Sequence, residues 1–215
     1  MNSVFIYVVD RDFGFAPNPF HGYCTLATCK PRIRNPARIG DWVIGMAGSR
    51  LNAAGRCVFA MRVTDKVNFN TYWRKRQFID KRPIRNGSSR AVVGDNIYHY
   101  DFRQNKWRQA DSHHSNTDGS MNVHNVNTDT SSEFVLISRH FYYFGRTAPV
   151  VDKNILRKLG YKNGRQHRRF TVDECTPFLE WLVENFGSSL NFVLGDPFDF
   201  ERSHRRYDVK FNKVS

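Results

Sequence analysis

Apolar positions are densest between residues 39 and 66, IGDWVIGMAGSRLNAAGRCVFAMRVTDK. The pattern predicts two strands, 41–46 (DWVIGM) and 56–64 (RCVFAMRVT), joined by a glycine-punctuated loop. Val58, Phe59, Met61 and Val63 sit too close together to alternate between a wet and a dry face, so the second strand is expected to be covered on both sides. Gly45, Gly48 and Gly55 permit the close backbone approach that would bend such strands into a small barrel. Residues 3–9 (SVFIYVV) predict a nearly all-apolar, central first strand, ended by Asp10-Arg11-Asp12. Two further strand patterns follow at 92–100 (VVGDNIYHY) and 133–144 (EFVLISRHFYYF). The polar Ser138-Arg139-His140 inside the latter marks a bulge or a pocket face.

Beyond Pro149 the period changes. Asp152 caps a short helix expected over 152–159, with Gly160 as its stop. Thr171-Val-Asp-Glu174 matches a capping box ahead of a helix that runs to Phe186 and ends at Gly187. Its apolar stripe is Phe178, Leu179, Leu182, Val183 and Phe186. Residues 162–169 (KNGRQHRR) read as a basic loop and 192–194 as a short strand. The expected division is an α+β domain over 1–150 and a helical, basic extension over 151–215 packed on it.

The segments between these elements are harder to place. Residues 13–20 (FGFAPNPF) are irregular because Pro17 and Pro19 remove donors. Their phenylalanines either plug the core or form a wall on which a base stacks. Residues 24–29 are expected to form a short helix. Residues 69–79 (FNTYWRKRQFI) interleave aromatics with cations. Tyr72 and Phe78 are assigned to the core, whereas Trp73 stays open between core and groove. Residues 104–132 are rich in Asn, Ser, Thr, Asp and His, and predict a lid or a disordered insertion.

Composition narrows the class. Of 215 residues, 40% are hydrophobic and 14% aromatic, which is enough for a packed core and excludes wholesale disorder. No apolar run is long enough to span a bilayer, and no signal peptide is expected. Four irregularly spaced cysteines fit reduced thiols in a cytoplasmic protein. Lys plus Arg number 33 against 20 Asp plus Glu, a net charge of +13 that favours polyanionic partners.

Candidate chemistry gathers at a few positions. Asp10 closes a strand, where a carboxylate serves either as a turn former or as a catalytic group. His21, Cys24 and Cys29 are spaced unlike a zinc pair and lack a nearby fourth ligand, so no metal site is expected. A reactive thiolate at Cys29 beside Lys30 is the alternative to a packed cysteine. Lys30, Arg32 and Arg34 on an extended segment would make one phosphate-facing edge. Asp95 and Asn96 follow Gly94 as a turn or as a pair able to read a base edge. The polar tract carries His113, His114 and His124 with Asp111, Asp118 and Asp129, among which His114-Ser115 is singled out for acid–base work.

GFAPNPF and GYCTLATCKPRIR, taken with ARIGDWVIGMAGS and GRCVFAMRVTDKVNFNTYW, resemble the second of the nucleotide-modification-associated domain families, which is linked to DNA base hypermodification in bacteria and phages. GDNIYHY, HHS and VLISRHFYYFG continue the match over residues 3–151. More distantly, GDWVIG followed by VFAMRV is similar to EVE and PUA-like barrels, which hold nucleic-acid bases. The resemblance implies a part in making, reading or processing modified nucleotides, and raises Tyr143 as a pocket wall.

The expected fold is therefore α+β, a mixed β-sheet or partly open PUA/EVE-like barrel with a helical C-terminal part. The expected partner is a nucleotide or nucleic acid, DNA favoured, with no membrane and no particular cofactor implied. Catalysis, if the chain is an enzyme, falls to Asp10, Cys29 and His114. The nucleotide-binding set is Phe15, Asn18, Thr25, Lys30, Arg32, Trp42, Lys81, Asp95, Asn96, Ser115 and Tyr143. Two alternatives stay open: a non-catalytic reader of modified bases, and a nucleotide-binding antiviral effector or sensor.

Overall fold

A computed structural model describes residues 2–215. In chain order its strands and α-helices begin with β1 (Ser3–Val9), β2 (Cys24–Leu26), α1 (Pro31–Arg34), β3 (Trp42–Ala47), β4 (Cys57–Arg62) and β5 (Asp65–Asn68). There follow α2 (Phe69–Arg74), α3 (Ser89–Val92), β6 (Tyr98–Asp101), β7 (Lys106–Gln109), α4 (Val123–Asp129), β8 (Phe134–Ser138) and β9 (Phe141–Tyr143). The chain closes with α5 (Lys153–Lys158), β10 (His167–Thr171), α6 (Thr176–Phe186), β11 (Tyr207–Asp208) and β12 (Lys213–Val214). These elements form two compact units, each assembled from three segments: residues 2–12, 37–65 and 138–198 in the first, and 13–36, 66–137 and 199–215 in the second.

The first unit is built on a mixed five-stranded sheet in the order β10-β1-β3-β4-β9. β1 runs parallel to β3 and antiparallel to β10, so the all-apolar strand is interior, as its composition predicts. β4 is buried from Cys57 to Met61, in keeping with its crowded apolar pattern. Phe178 and Leu182 of α6 pack into the core with Val4, Ile6, Ile44, Tyr142 and Phe144. The helix stripe is narrower than predicted, since Val183 is 54% exposed. The capping box forms: the Thr171 amide donates to Glu174 Oε2 at 2.7 Å and the Glu174 amide to Thr171 Oγ1 at 3.2 Å. Asp152 likewise accepts from the Asn154 amide at 2.7 Å.

Several expectations are corrected. The basic run is partly an edge strand, because β10 pairs with β1 from Ser3 to Tyr7 and turns Arg168 and Arg169 outward. The pattern at 133–144 splits into two strands of different sheets, with Ser138 Oγ and the His140 backbone bonded across the break. Residues 24–29 begin with a strand rather than a helix. No sheet closes into a barrel among the described residues, since β10 and β9 end the five-stranded sheet without pairing to each other. The fold is thus mixed α/β with several open sheets.

The second unit holds a three-stranded sheet in the order β2-β8-β5, the β6-β7 hairpin and the small β11-β12 hairpin. The polar tract at 104–132 is folded rather than loose. It supplies β7, a turn and α4, and buries Ser112, His113, His114, Ser115, Asn122, Asn125 and Asp129. Among the described residues no helix is long and apolar enough to cross a membrane.

Gly45 marks the tightest point of the large sheet. A Cβ there would lie 2.2 Å from the Phe59 ring and 2.7 Å from Val9 Cγ2, beside the register shift between β3 and β4. Both neighbours are core, so neither can swing into solvent. Gly45→Ala is expected to cost about 1–3 kcal/mol in urea unfolding. Gly55→Ala, where nothing lies within 4 Å but φ is +78°, is the control that reports backbone strain without overpacking.

Candidate active site

After β2 the chain passes through buried Ala27 and Thr28, then bends sharply at Cys29 (φ 56°) and Lys30 (φ 42°). Two successive non-glycine residues in the left-handed region are costly and need outside support. Pro31 then opens α1, its fixed φ suited to the first helical position.

The support is a buried arginine and a buried carboxylate. Arg34, fully buried, donates through Nε to the Cys29 carbonyl at 2.8 Å and through Nη1 to the Ser132 carbonyl at 3.0 Å. Its remaining reach goes to the carbonyls of Phe134 and Asp129. Asp129, at the end of α4, accepts from the Cys29 amide through Oδ1 at 2.7 Å. The bend is therefore bonded to both the guanidinium and the carboxylate.

His114 meets the same carboxylate. Its Nδ1 donates to Asp129 Oδ2 at 2.7 Å, and its Nε2 lies 3.7 Å from Cys29 Sγ. Tyr98 on β6 donates its hydroxyl to Asp129 Oδ2 at 2.8 Å, and Gln109 on β7 donates to that hydroxyl at 3.1 Å. Gln109 and Asn125 both donate to the His114 carbonyl. The Phe15 ring packs 4.7 Å from the imidazole, and Tyr207 of the C-terminal hairpin lies 5.8 Å away. Sulfur, imidazole and carboxylate thus cluster together, each ring nitrogen committed to one neighbour.

Burial works against a charged His114, but Asp129 and Cys29 outweigh it and raise its pKa to about 10. Burial also opposes the Asp129 anion; His114 and Arg34 overcome that and hold its pKa below the ordinary carboxylate value. His114 and Asp129 are almost wholly covered, while Cys29 is partly open. The other three cysteines are buried, with burial driving the Cys57 thiol upward and the Cys175 thiol to about 12.

One donor atom from each of Cys29, His114 and Asp129 lies within 4.8 Å of the other two, a grouping able to approach a metal ion. The Nδ1 to Oδ2 separation of 2.7 Å is that of a hydrogen bond. Two ligands at about 2.0–2.1 Å on one tetrahedral zinc would stand farther apart. A thiol, an imidazole and a carboxylate in mutual contact are also the parts from which an activated nucleophile can be built.

Of the residues expected at the site, the structure brings Cys29 and His114 together. The carboxylate bonded to His114 is Asp129, whereas Asp10 is exposed at the end of β1 in the first unit. Phe15 reaches the site as a buried wall on the imidazole, 3% exposed, and offers no open face to a base. Ser115 is buried in the turn that carries His114, donating to the Ala110 carbonyl. Lys30 is partly exposed and Arg32 exposed beside Cys29, while Arg34 is spent inside.

The remaining residues of the expected nucleotide-binding set lie in the interior. Lys81 is fully buried and donates to Asn18 Oδ1, the carbonyls of Asn18 and Tyr23, and Thr25 Oγ1 at 2.7–3.1 Å, so no phosphate reaches it. Asp95 accepts from Thr25 and Tyr72, each at 2.7 Å. Asn96 donates to the carbonyls of Tyr72 and Phe78. Burial lowers the Lys81 pKa to about 8 and raises that of Asp95 to about 6. Trp42 and Tyr143 belong to the first unit, where Trp42 meets His140 edge-on and Tyr143 donates to Asp12. Asp129, Tyr98 and Gln109 were not foreseen as site residues. Asp129 stood out only as one acid of the polar tract, and no local spacing ties it to Cys29.

The family model for nucleotide modification associated domain 2 matches residues 1–204. The comparisons with curated proteins and with solved structures found no match.

The charge pair makes stability depend on pH in a defined sense. His114, with a folded pKa of about 10 against 6.5, stabilises fully below pH 6.5, and the contribution drains away as pH rises through about 10. Asp129, with a lowered pKa, stabilises above 3.8 and loses that contribution as pH falls through its folded value. Urea unfolding of the wild type is expected to weaken from pH 7 toward pH 10, and Asp129→Asn to flatten that decline. By NMR the His114 ring should stay protonated past pH 8 in the wild type and titrate far lower in Asp129→Asn, where less opposes burial. An imidazole titrating near 6.5 in both proteins would remove the pair.

Proposed function

Since the chain belongs to the nucleotide modification associated domain 2 family, we propose that it is a cysteine-dependent group-transfer catalyst acting on a nucleotide or on DNA. The observation that carries this reading is the meeting of Cys29 Sγ, His114 and Asp129, with one hydrogen bond and one 3.7 Å contact through the two ring nitrogens. An imidazolium beside a sulfur is the arrangement that holds a thiolate nucleophile. Asp129 orients the ring, and Tyr98 with Gln109 orients Asp129.

In the proposed reaction Cys29 Sγ attacks an electrophilic acyl-type carbon. The bond to the leaving group breaks, and the His114 Nε2 proton passes to that group. A nucleotide amine or hydroxyl, or water, then attacks the thioester, gives its proton to His114 and releases the sulfur. The positive charge of the chain supplies attraction for phosphate without choosing a base. Lys30 and Arg32, which follow the nucleophile in the chain, are the cations proposed for that contact.

Iodoacetamide labelling with peptide mass mapping tests the thiol. Cys29 is expected to label first near neutral pH, and His114→Ala to slow it about tenfold or more, as a thiolate loses its counter-ion. Cys24, Cys57 and Cys175 should label only on unfolding. Equal, slow labelling of Cys29 in wild type and His114→Ala, in folded protein, would overturn the reading. So would a bound metal ion whose removal by a chelator is needed before Cys29 reacts. A non-catalytic reader would instead show reactive Cys29 without any substrate-dependent acyl adduct on it.

A further inference from the structure

The second unit carries an aromatic cleft that neither the triad nor the buried polar network uses. It has a volume of about 390 Å³ and is lined by Phe69, Arg74, Tyr100, Phe102, Trp107 and Glu133, among others. Trp107 meets Phe69 at 5.6 Å and Tyr100 at 5.3 Å, and Tyr100 meets Phe102 at 5.2 Å, so the rings form a continuous chain. Phe102 is 71% exposed in the turn of the β6-β7 hairpin, amid polar residues. A large apolar ring left in water beside a concave aromatic wall is what a stacking ligand would cover.

The cleft is tied to the triad through shared residues. β6 and β7 pair Tyr98 with Gln109 and Tyr100 with Trp107, so the two pairs follow each other along one face of the hairpin. The inner pair holds Asp129 and the outer pair lines the cleft. Phe69 touches both, meeting Tyr98 at 5.5 Å and Trp107 at 5.6 Å, and Arg34 sits 5.4 Å over its ring. The rim is cationic. Arg74 is exposed and forms no ion pair among the described residues, and Arg103 and Lys106 are exposed at the hairpin tip. Glu133 offers an acceptor, and every nucleobase has an N–H to give it.

We propose that this cleft binds the nucleobase of the substrate, with the ring stacked among Phe102, Tyr100 and Trp107 and the phosphate drawn to Arg74. The proposal rests on the nucleotide context of the preceding section. It moves the base from the buried segment around Phe15 and Asn18 to an open surface of the same unit. A mononucleotide and a base flipped or unpaired in single-stranded DNA share this chemistry.

Binding is tested in Cys29→Ser protein, so that no turnover intervenes, with dAMP, deoxyribose 5′-phosphate and a short oligodeoxyadenylate as probes, read by quenching of tryptophan fluorescence. dAMP is expected to bind and the baseless sugar phosphate to bind about tenfold or more weakly. Phe102→Ala should weaken dAMP at least about fivefold, with Phe102→Trp restoring it, as stacking on an aromatic face requires. Phe211→Ala, which removes another exposed ring, serves as the control and should leave the affinity unchanged. A much tighter, steeply salt-dependent oligonucleotide identifies a strand as the source, and parity with dAMP identifies a free nucleotide; both support the cleft. No binding of either base-bearing probe by folded protein, or equal affinity in Phe102→Ala, overturns it. Iodoacetamide reactivity of Cys29 in the Phe102→Ala background separates the two readings. Affinity for dAMP unchanged by Phe102→Ala, with labelling of Cys29 intact, condemns the cleft alone, whereas labelling lost while dAMP binding keeps its dependence on Phe102 condemns the thiol.

Discussion

One buried carboxylate organises the second unit. Asp129 receives the Cys29 amide on one oxygen, and the His114 ring and the Tyr98 hydroxyl on the other. An uncompensated anion at 1% exposure would be far too costly to keep. The charge persists because each carboxylate oxygen has a donor and because Arg34, threaded between the Cys29 and Asp129 carbonyls, places a cation next to it. Four segments remote in sequence, ending at Cys29, Tyr98, His114 and Asp129, are held together by that requirement. Removing any donor leaves the others on a poorly solvated anion, which is why the geometry is tightly specified and why a strained bend at Cys29 is tolerated.

The unit's other buried charge shows the contrast between a site and a strut. Lys81 and Asp95 share Thr25, and together with Asn18 and Tyr72 they satisfy one another completely. Every donor of the ammonium ends on a protein acceptor, and nothing in that network opens toward solvent. At His114 the ring nitrogen not used by Asp129 faces a sulfur on a partly open residue. Saturation of the first kind rigidifies, whereas the second leaves a thiol at a partly open position beside a buried charge pair.

How much of this could be read from the chain divides along physical lines. β1, β3 and β4 were legible because a buried strand writes its burial locally in consecutive apolar residues. The capping box at Thr171 and Glu174 was legible for the same reason, being complete within four residues. The break at Ser138 and His140 and the strand at β10 were not, because a polar or basic segment becomes a strand only when an edge is waiting for it. The polar tract was misread because its burial is financed by hydrogen bonds rather than by apolar area, as Asn122, Asn125 and Ser112 illustrate. Cys29 and His114 carried their chemistry in residue type, but their meeting depends on Asp129 and Arg34. Arg34 looked like a surface cation in a run of three and is in fact interior.

The same reasoning explains why the phenylalanines of the proline-rich loop are interior. Phe13, Phe15 and Phe20 stood out because they break a proline-rich loop, yet such a loop lies against the body of the protein only by burying its large side chains, and all three are at most 5% exposed. Phe15 packs against the rings of both His113 and His114 and so covers the imidazole bonded to Asp129. Exclusion of water strengthens that pair, so a phenylalanine sealed inside serves the site better than one displayed at its mouth. The rings of Tyr100, Phe102 and Trp107 are on a hairpin whose outer end is wet and whose inner end grips Asp129 through Tyr98 and Gln109. A ligand stacking on the outer end would press on the same two strands that orient the carboxylate. On the two proposals together, base binding and the orientation of His114 would be carried by one hairpin.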